Sequence, residues 1–484
     1  MKKTRLFLLL MILTALAIGC EVQDDNEVPK EIEVQNFVWK GLNLYYLWQK
    51  DVPDLADNRF ANQSDLNSFL SQYSDPKVLF QNLLNKPVSQ YPTPGEAIDR
   101  FSVIFSDYTQ LEGILSGTTL NNGAEIGLYY KDNTQTAVFG VVRYVLAGSD
   151  AALKNVRRGD IFYAIDGTEL NASNYRTLLA PNSYTLNLAN YDGGNITPSG
   201  QSVLLTKSVI SENPVHITSV IESGAHRIGY LMYNGFYPNY ESTLNQAFAQ
   251  LKSAGITELV LDLRYNSGGS IATATRLASM ITGQFNGQVF AKEQWNAKVE
   301  SYYNSHGWSN QFYNRFTTTL DNSEIIQSSR LNKIWILTSK ATASASELVI
   351  NGLKPYIQVN QIGDWTVGKN VGSITLYDSP NFSKTGINSH HRYAMQPLVL
   401  KIVNKDGFGD YINGLEPDIQ YKENLGQMGI LGQADEPLLQ KAIQNITGAG
   451  RLISIPSGNH KAVKDQRIEV QLQSEMYKDN FKIP

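Results

Sequence analysis

The sequence has little cysteine and little histidine. Its single cysteine, Cys20, excludes an intramolecular disulfide and any metal site built from several thiolates. Only six histidines occur in 484 residues, and 41 basic side chains face 45 acidic ones, for a formal charge of -4. With no basic excess, we expect no nucleic acid partner. No phosphate loop, zinc signature or dinucleotide fingerprint is present, and we expect neither a cofactor nor a metal.

Long apolar runs are also lacking, except for one at the N-terminus. Basic residues precede the apolar run 6–18, which is too short for a mature membrane span but suits the core of a signal peptide. Residues 17–20 read Ala-Ile-Gly-Cys and resemble a bacterial lipobox, in which Cys20 would be acylated. We therefore expect a lipoprotein signal peptide over 1–19 and a tether over 20–29, with the protein lipid-anchored at the cell envelope, on the periplasmic face or the outer-membrane surface. An ordinary secretory signal with an incidental thiol is the alternative.

After the tether, residues 30–118 predict a small helical region. Apolar side chains recur at helical spacing over 31–50, and similar patterns follow at 64–70 and at 75–84, where an Asp-Pro pair suits a helix start. The aromatic side chains of this region suit packing better than binding.

Short β-rich runs separated by turn residues, among them strands predicted at 124–130 and 161–165, occupy residues 119–210. Within them, residues 158–167 read Arg-Gly-Asp-Ile-Phe-Tyr-Ala-Ile-Asp-Gly, and this string resembles the PDZ domain pattern. The resemblance implies that the region binds an extended peptide as an added strand and that its carboxylate-binding loop consists of Ile126, Gly127 and Leu128. A plain β-barrel module with the same turns is the alternative.

Strand and helix patterns then alternate over residues 211–455. A helix pattern at 240–254 and a wholly apolar strand pattern at 258–263 predict an α/β core with strands buried on both faces. Residues 283–330 look like an excursion of unassigned role, and 456–484 like a C-terminal extension. The predicted fold class is thus a multidomain α/β protein with an N-terminal helical region, a β-rich PDZ-like domain and an α/β core.

Two segments of the core carry candidate chemistry. Residues 334–347 lead from a strand into a helix, and a hydroxyl at such a junction faces free amides that stabilise developing negative charge. A hydroxyl there could equally do no more than cap the helix. Lys369, on a strand bracketed by glycines, could act as a base only if burial removes its proton. A solvated surface lysine is the alternative reading.

Three segments together resemble the signatures of the C-terminal processing, or tail-specific, serine peptidases. They are residues 262–269 (Asp-Leu-Arg-Tyr-Asn-Ser-Gly-Gly), 343–347 (Ala-Ser-Ala-Ser-Glu) and 367–369 (Val-Gly-Lys). In that family the lysine follows the serine by 25 positions, as it does here. The resemblance covers residues 120–420, and the early helices also look like those of secreted Bacteroidetes members. It implies the tail-specific protease type of core.

The resemblance also implies residue roles. Ser344 would be the nucleophile and Lys369 its general base, in a Ser/Lys dyad. The amide of Ala345 and that of Gly268 or Gly269 would form the oxyanion hole.

One position departs from the family pattern. Many members have a glutamine four residues after the lysine, whereas this chain has Ser373, which becomes a candidate for orienting the lysine. Glu347 suits a structural role near the helix start. The pair His390 and His391 could suggest a metal site or an alternative base. Adjacent side chains on a strand point to opposite faces and rarely share one ligand, so packing or the surface is the favoured interpretation.

The predicted function is a serine endopeptidase that cleaves exported polypeptides and recognises substrate C-termini through its PDZ-like domain. One alternative is a catalytically inactive peptide-binding lipoprotein on the same fold, and another is a different acyl transferase or hydrolase with the same dyad. The sequence indicates a polypeptide partner and gives no oligomeric state.

Overall fold

The structure, a computed structural model, describes residues 28–93, 95–448, 460–463, 476–479 and 481. The predicted signal peptide and the lipid anchor at Cys20 lie outside the described residues. Among the residues described, no helix combines the length and the apolar character needed to cross a membrane.

Many helices begin at a side chain that caps the first turn. Asn62, Asp75 and Ser270 each accept a hydrogen bond from a backbone N–H two or three residues later. The described α-helices are α1 Glu33–Tyr45, α2 Gln63–Leu70, α3 Pro76–Asn82, α4 Tyr108–Leu115, α5 Asp150–Leu153, α6 Tyr175–Leu179, α7 Glu241–Ser253, α8 Ile271–Thr282, α9 Ala297–Ser305, α10 Ala345–Leu353 and α11 Pro437–Thr447. Single 3-10 turns cover Lys30–Ile32, Gln49–Asp51, Pro53–Leu55, Pro238–Tyr240 and Ser309–Phe312.

The described strands form five sheets. Their bounds are β1 Val103–Phe105, β2 Thr118–Asn121, β3 Ala124–Tyr130, β4 Val138–Val145, β5 Ile161–Ile165, β6 Thr168–Glu169, β7 Ser183–Asp192, β8 Asn195–Thr206, β9 Ser208–Ser211, β10 Val215–Ser223, β11 His226–Tyr233, β12 Glu258–Asp262, β13 Gly269–Ser270, β14 Val289–Trp295, β15 Tyr313–Arg315, β16 Lys333–Thr338, β17 Gln358–Gly363, β18 Val371–Ser373, β19 Leu376–Tyr377, β20 Ala394–Gln396, β21 Leu398–Asn404, β22 Ile419–Gln420 and β23 Met476–Tyr477.

The chain divides into two compact units. The described residues of 28–44 and 48–98 form one unit, which contains α2 and α3, and residues 45–47 and 99 onward form the other. The first unit buries apolar side chains along its helices, including Phe37, Leu66 and Phe80. Part of the range 30–118, which was predicted to be helical, is a strand. This strand, β1, lies in the second unit and pairs with β20.

The β-rich region contains a sheet in the order β3, β4, β5, β7, β8, with β6 paired to β5. Ile126, Gly127 and Leu128 lie in the middle of β3, paired with β4, so the prediction that they form a loop is wrong. A Cβ on Gly127 would lie 2.7 Å from Arg143 Nε, so the glycine leaves room for that side chain beside the strand. A carboxylate-binding role for these residues stays a prediction.

The α/β core is built on a sheet in the order β10, β11, β12, β16, β17, β22. From β11 to β22 neighbouring strands are parallel, and β12 is wholly buried. Helix α11 packs Leu438 and Leu439 onto one face, in a cluster with Val260 and Trp335. This architecture confirms the predicted multidomain α/β fold class.

A second six-stranded sheet, in the order β13, β23, β18, β21, β14, β15, completes the core. The excursion over 283–330 supplies β14, α9 and β15 to it. Those residues are therefore largely part of the folded core, not a long loop.

Candidate active site

Three loops that follow neighbouring parallel strands carry the predicted catalytic residues. We call residues 263–268 the glycine loop, 339–344 the serine loop and 364–370 the lysine loop; they follow β12, β16 and β17. Because parallel strands end at the same edge of a sheet, the three loops begin side by side.

Hydrogen bonds join the serine loop to both neighbours. Thr342 Oγ1 donates to the carbonyl of Leu263 over 2.8 Å, and the Ala343 N–H donates to the carbonyl of Asn266 over 3.1 Å. On the other side, the Val367 N–H donates to the carbonyl of Thr342 over 3.0 Å. The serine loop is therefore fixed between the glycine and lysine loops.

Ser344 stands immediately before α10 in a strained backbone conformation. Its φ is +63° and its ψ is -115°. Positive φ is uncommon for a residue with a side chain and costs about 1–3 kcal/mol, so the surrounding structure must hold it. The side chain is fully buried, and its Oγ has no hydrogen-bond partner among the described residues. Ser344 and Glu347 have the arrangement of a capping box at the start of α10, but no contact of the Ser344 Oγ with the first turn meets hydrogen-bond geometry.

The carboxylate of Glu347 joins the serine to the lysine loop. Its Oε2 accepts the N–H of Ser344 over 2.7 Å and that of Lys369 over 2.8 Å. Its Oε1 accepts the N–H of Gly368 over 2.7 Å and the hydroxyl of Thr366. Because one oxygen atom accepts from both backbone nitrogens, Ser344 and Lys369 are side by side. Burial raises the pKa of Glu347, against the opposing effect of these four donors.

Lys369 is fully buried, but it does not lie on a strand as predicted. It lies in irregular backbone before β18, because Gly368 has a φ of +84° and interrupts the extended chain. A Cβ on Gly368 would lie 2.2 Å from the carbonyl oxygen of Ile412, so glycine is required there. The Nζ of Lys369 lies 4.7 Å from the centroid of the Phe101 ring.

Sequence reasoning missed the segment that supplies Phe101. Asp99, which is buried, accepts the backbone N–H groups of Phe101 over 3.1 Å and of Ser102 over 2.9 Å. Arg100 donates to the carbonyl of Gly368, 268 positions away, and burial lowers the pKa of its guanidinium. No local pattern signals this contact, because only the fold brings such distant residues together.

The predicted oxyanion donors differ in whether their backbone N–H groups already donate a hydrogen bond. Ala345 is the first residue of α10, and its N–H has no acceptor among the residues described. The N–H of Gly268 already donates to Asn266 Oδ1 over 2.8 Å.

The surroundings of Gly269 show which way its amide points. Both groups that flank it, the Gly268 carbonyl and the Ser270 N–H, bond to Phe236 over 2.9 Å. Because successive peptide groups of a strand face opposite edges, the N–H of Gly269 faces away from Phe236, toward β23.

The remaining candidates lie apart from these loops or make other contacts. Ser373 is on β18, and its Oγ donates to the carbonyl of Met476 over 3.3 Å, so its role toward the lysine stays a prediction. His391 contacts Asp378 over 2.8 Å, and neither it nor His390 lies on a strand. In the described ranges, no group of three or more His, Cys, Asp or Glu could hold a metal ion.

Comparison with known proteins identifies the family of the chain. The model of peptidase family S41 matches residues 227–421, and that of the peptidase S41 N-terminal domain matches residues 33–103. A carboxyl-terminal-processing protease of Picosynechococcus is 23% identical over 372 residues, covering 72% of this chain and 82% of that protein. A CtpA-like serine protease of Staphylococcus aureus is 24% identical, covering 64% of this chain and 53% of that protein, so the match spans about half of the staphylococcal relative.

A solved structure agrees with the fold. The crystal structure of a protein assigned to the S41 proteases of Bacteroides fragilis superposes with a TM-score of 0.65 at 25% identity, covering 85% of this chain and 97% of that one. The two family models together span more than half of the sequence and include all three loops. The chain belongs to peptidase family S41 and is a peptidase of the serine type.

Proposed function

We propose that the protein is an endopeptidase that hydrolyses polypeptides through a dyad of Ser344 and Lys369. The observation that carries the proposal is the shared Glu347 oxygen, which fixes the backbone of both residues in one buried site. The unbonded Ser344 Oγ is available to attack a peptide carbonyl.

The reaction proceeds by acyl transfer. The neutral amine of Lys369 accepts the proton of Ser344 Oγ as the oxygen attacks the carbonyl carbon, and it then gives that proton to the departing amine. The amides of Ala345 and Gly269 hold the oxyanion, and water hydrolyses the acyl-enzyme. Burial favours the uncharged form of an amine, which a general base requires.

Two variants test the dyad. Incubation of a disordered protein with Ser344→Ala or Lys369→Met should give no new product masses, whereas the wild type gives peptides. Circular dichroism and thermal unfolding check that both variants fold. Full cleavage by either folded variant would refute the dyad, and an inert wild type would favour the inactive peptide-binding alternative.

We propose that the β-rich region selects substrates by their C-termini, by adding an extended peptide to an edge strand. Its place before the core, together with the edge position of β3, supports this role. Cleavage of matched peptides with free and amidated C-termini tests it: the free form should have the higher kcat/KM. Equal values would contradict recognition of the carboxylate.

We further propose that the protein is exported and anchored to the cell envelope by acylation of Cys20. The support is the sequence alone, namely the basic start, the apolar run 6–18 and the small residues before the cysteine. Metabolic labelling with a fatty acid should mark the wild type and not Cys20→Ser. Equal labelling of the two proteins would contradict acylation of Cys20.

A further inference from the structure

The part of the chain that follows α11 occupies two places that suit an extended peptide. We call its described residues, 460–463, 476–479 and 481, the docked segment. The first place is the edge of β3 in the β-rich region, and the second is the gap between β13 and β18 in the core.

At the first place, the docked segment adds to β3 in antiparallel fashion. Tyr129 of β3 pairs with Ala462. The Tyr130 N–H donates to the carbonyl of Lys461 over 2.9 Å, and the Val463 N–H donates to the carbonyl of Leu128 over 2.9 Å. The docked segment thus occupies the edge of β3 to which a foreign peptide would have to add as a strand.

Side chains fix this first contact. Val463 is only 4% exposed and packs in the apolar core of the β-rich region, in a cluster that includes Leu128, Tyr175 and Leu179. Peptide-binding grooves recognise sequence by burying an apolar side chain of the strand that is added.

At the second place, β23 lies between the strands on either side of the catalytic site. Met476 pairs with Gly269 of β13, and Tyr477 pairs with Ser373 of β18. The carbonyl of Ser373 also accepts the Lys478 N–H over 3.0 Å. Since the Gly269 N–H faces β23, the docked segment covers the amide that the oxyanion would need.

The second contact is also fixed by specific side chains. The Nζ of Lys478 donates to both carboxylate oxygens of Glu293 over 2.9 Å, and Glu293 is fully buried. The ring of Phe481 stacks on Trp295, with centroids 4.5 Å apart. These contacts suit an extended peptide with a basic side chain followed, three residues later, by an aromatic one.

We propose that the docked segment is an intramolecular peptide ligand that occupies both substrate-binding places, so a polypeptide substrate must displace it. The inference rests on the proposed function. It adds that the chain inhibits itself and that its preferred ligands are extended peptides resembling residues 476–481. The competing reading is that both pieces are permanent strands of the fold.

Exchange and binding measurements on the full-length Ser344→Ala protein separate the two readings without any catalysis. A synthetic peptide with the sequence of residues 476–481, labelled with a fluorophore, should bind and raise its anisotropy. Excess unlabelled peptide should speed amide exchange in residues 476–478 of the protein. A peptide that does not bind, or exchange that stays slow at saturation, would overturn the inference.

Activity measurements test the inhibition with matched charge changes. Lys478→Glu breaks the Glu293 contact and Val463→Asp breaks the apolar anchor, so each should raise kcat/KM for an added peptide by about tenfold if the docked state dominates. Lys50→Glu makes the same charge change as Lys478→Glu at an exposed position outside the docked segment and should leave kcat/KM unchanged. Folded Lys478→Glu and Val463→Asp proteins with wild-type kcat/KM would overturn the inhibition.

The two proposals can fail separately. Peptide binding and faster exchange without any cleavage would refute the endopeptidase and keep the docked ligand. Cleavage by a wild-type protein whose docked segment is never displaced would keep the endopeptidase and refute the docked ligand. If a substituted protein does not fold, the exchange experiment on Ser344→Ala alone decides.

Discussion

At the scale of single residues, one buried carboxylate, that of Glu347, joins the serine loop to the lysine loop. The sequence predicts Ser344 and Lys369 as the dyad because both stand in short motifs at a fixed spacing, and their catalytic roles stay a prediction. It indicated only a structural role for Glu347 near the helix start, since the bonds that Glu347 accepts from Thr366, Gly368 and Lys369 join residues 19 to 22 positions apart and leave no local pattern. The structure shows that Glu347 accepts from four groups on the serine and lysine loops.

Glu347→Gln should reduce activity while keeping the side-chain volume. An amide group must turn its NH₂ toward at least one backbone N–H, and a buried donor left without an acceptor costs about 1–3 kcal/mol. Because misplacement by about 1 Å can cost about a hundredfold in rate, we expect kcat to fall by about that factor. Steady-state kinetics and thermal unfolding measure both effects.

Glu222→Gln is the matched control for that change, because Glu222 is 64% exposed and pairs with Arg227 at the surface. It should leave kcat and the melting temperature nearly unchanged. A Glu347→Gln protein with wild-type kcat would show that the shared carboxylate does not position the dyad.

At the scale of secondary-structure elements, apolar and β-rich runs predicted the longer strands of the β-rich region and of the α/β core. The strands at 124–130 and 161–165 have the predicted bounds. Two elements could not be predicted. Only two residues of β23 are described, too few for a periodic pattern, and the lysine loop is contacted by residues far along the chain, which no local pattern reveals.

Gly368→Ala tests whether the path of the lysine loop matters. The new Cβ would lie 2.2 Å from the Ile412 carbonyl oxygen and would face a φ of +84°. The loop must move, so we expect both a lower melting temperature and a large loss of kcat.

Gly407→Ala separates the steric effect from the conformational one. Gly407 has the same φ of +84°, but nothing lies within 4 Å of a Cβ there. It should lose only about 1 kcal/mol of stability and keep full kcat. Equal losses in the two variants would mean that positive φ alone, and not the contact with Ile412, explains the effect.

At the scale of the whole molecule, buried charges tie the β-rich region to the glycine loop. Arg158 donates to Tyr265 and to Glu423, each over 2.7 Å. Arg264 is fully buried and bonds to Asp262, Glu423 and Glu436. No sequence pattern predicts this network, since it joins residues as many as 265 positions apart. It gives the β-rich region a physical connection to the loop that carries Gly268.

The network should make stability depend on pH through Glu423. Burial alone would raise the pKa of Glu423, but the charges of Arg158 and Arg264 outweigh it and lower the pKa to about 2. The folded pKa lies below the ordinary value of 4.5, so the charged carboxylate stabilises the fold above pH 4.5. That contribution, on the order of 3 kcal/mol, is lost as the pH falls from 4.5 toward 2.

Glu423→Gln should therefore unfold more easily than the wild type at pH 7, and the difference should shrink as the pH falls below 4.5. The neutral amide resembles the protonated acid, so the two proteins converge where Glu423 takes up its proton. Urea unfolding at pH 7, 5 and 3 measures the difference, with the exposed Glu222→Gln as the reference that should show no such trend. A difference in unfolding free energy that stays constant from pH 7 to pH 3 would mean that the charge of Glu423 does not stabilise the contact between the β-rich region and the glycine loop.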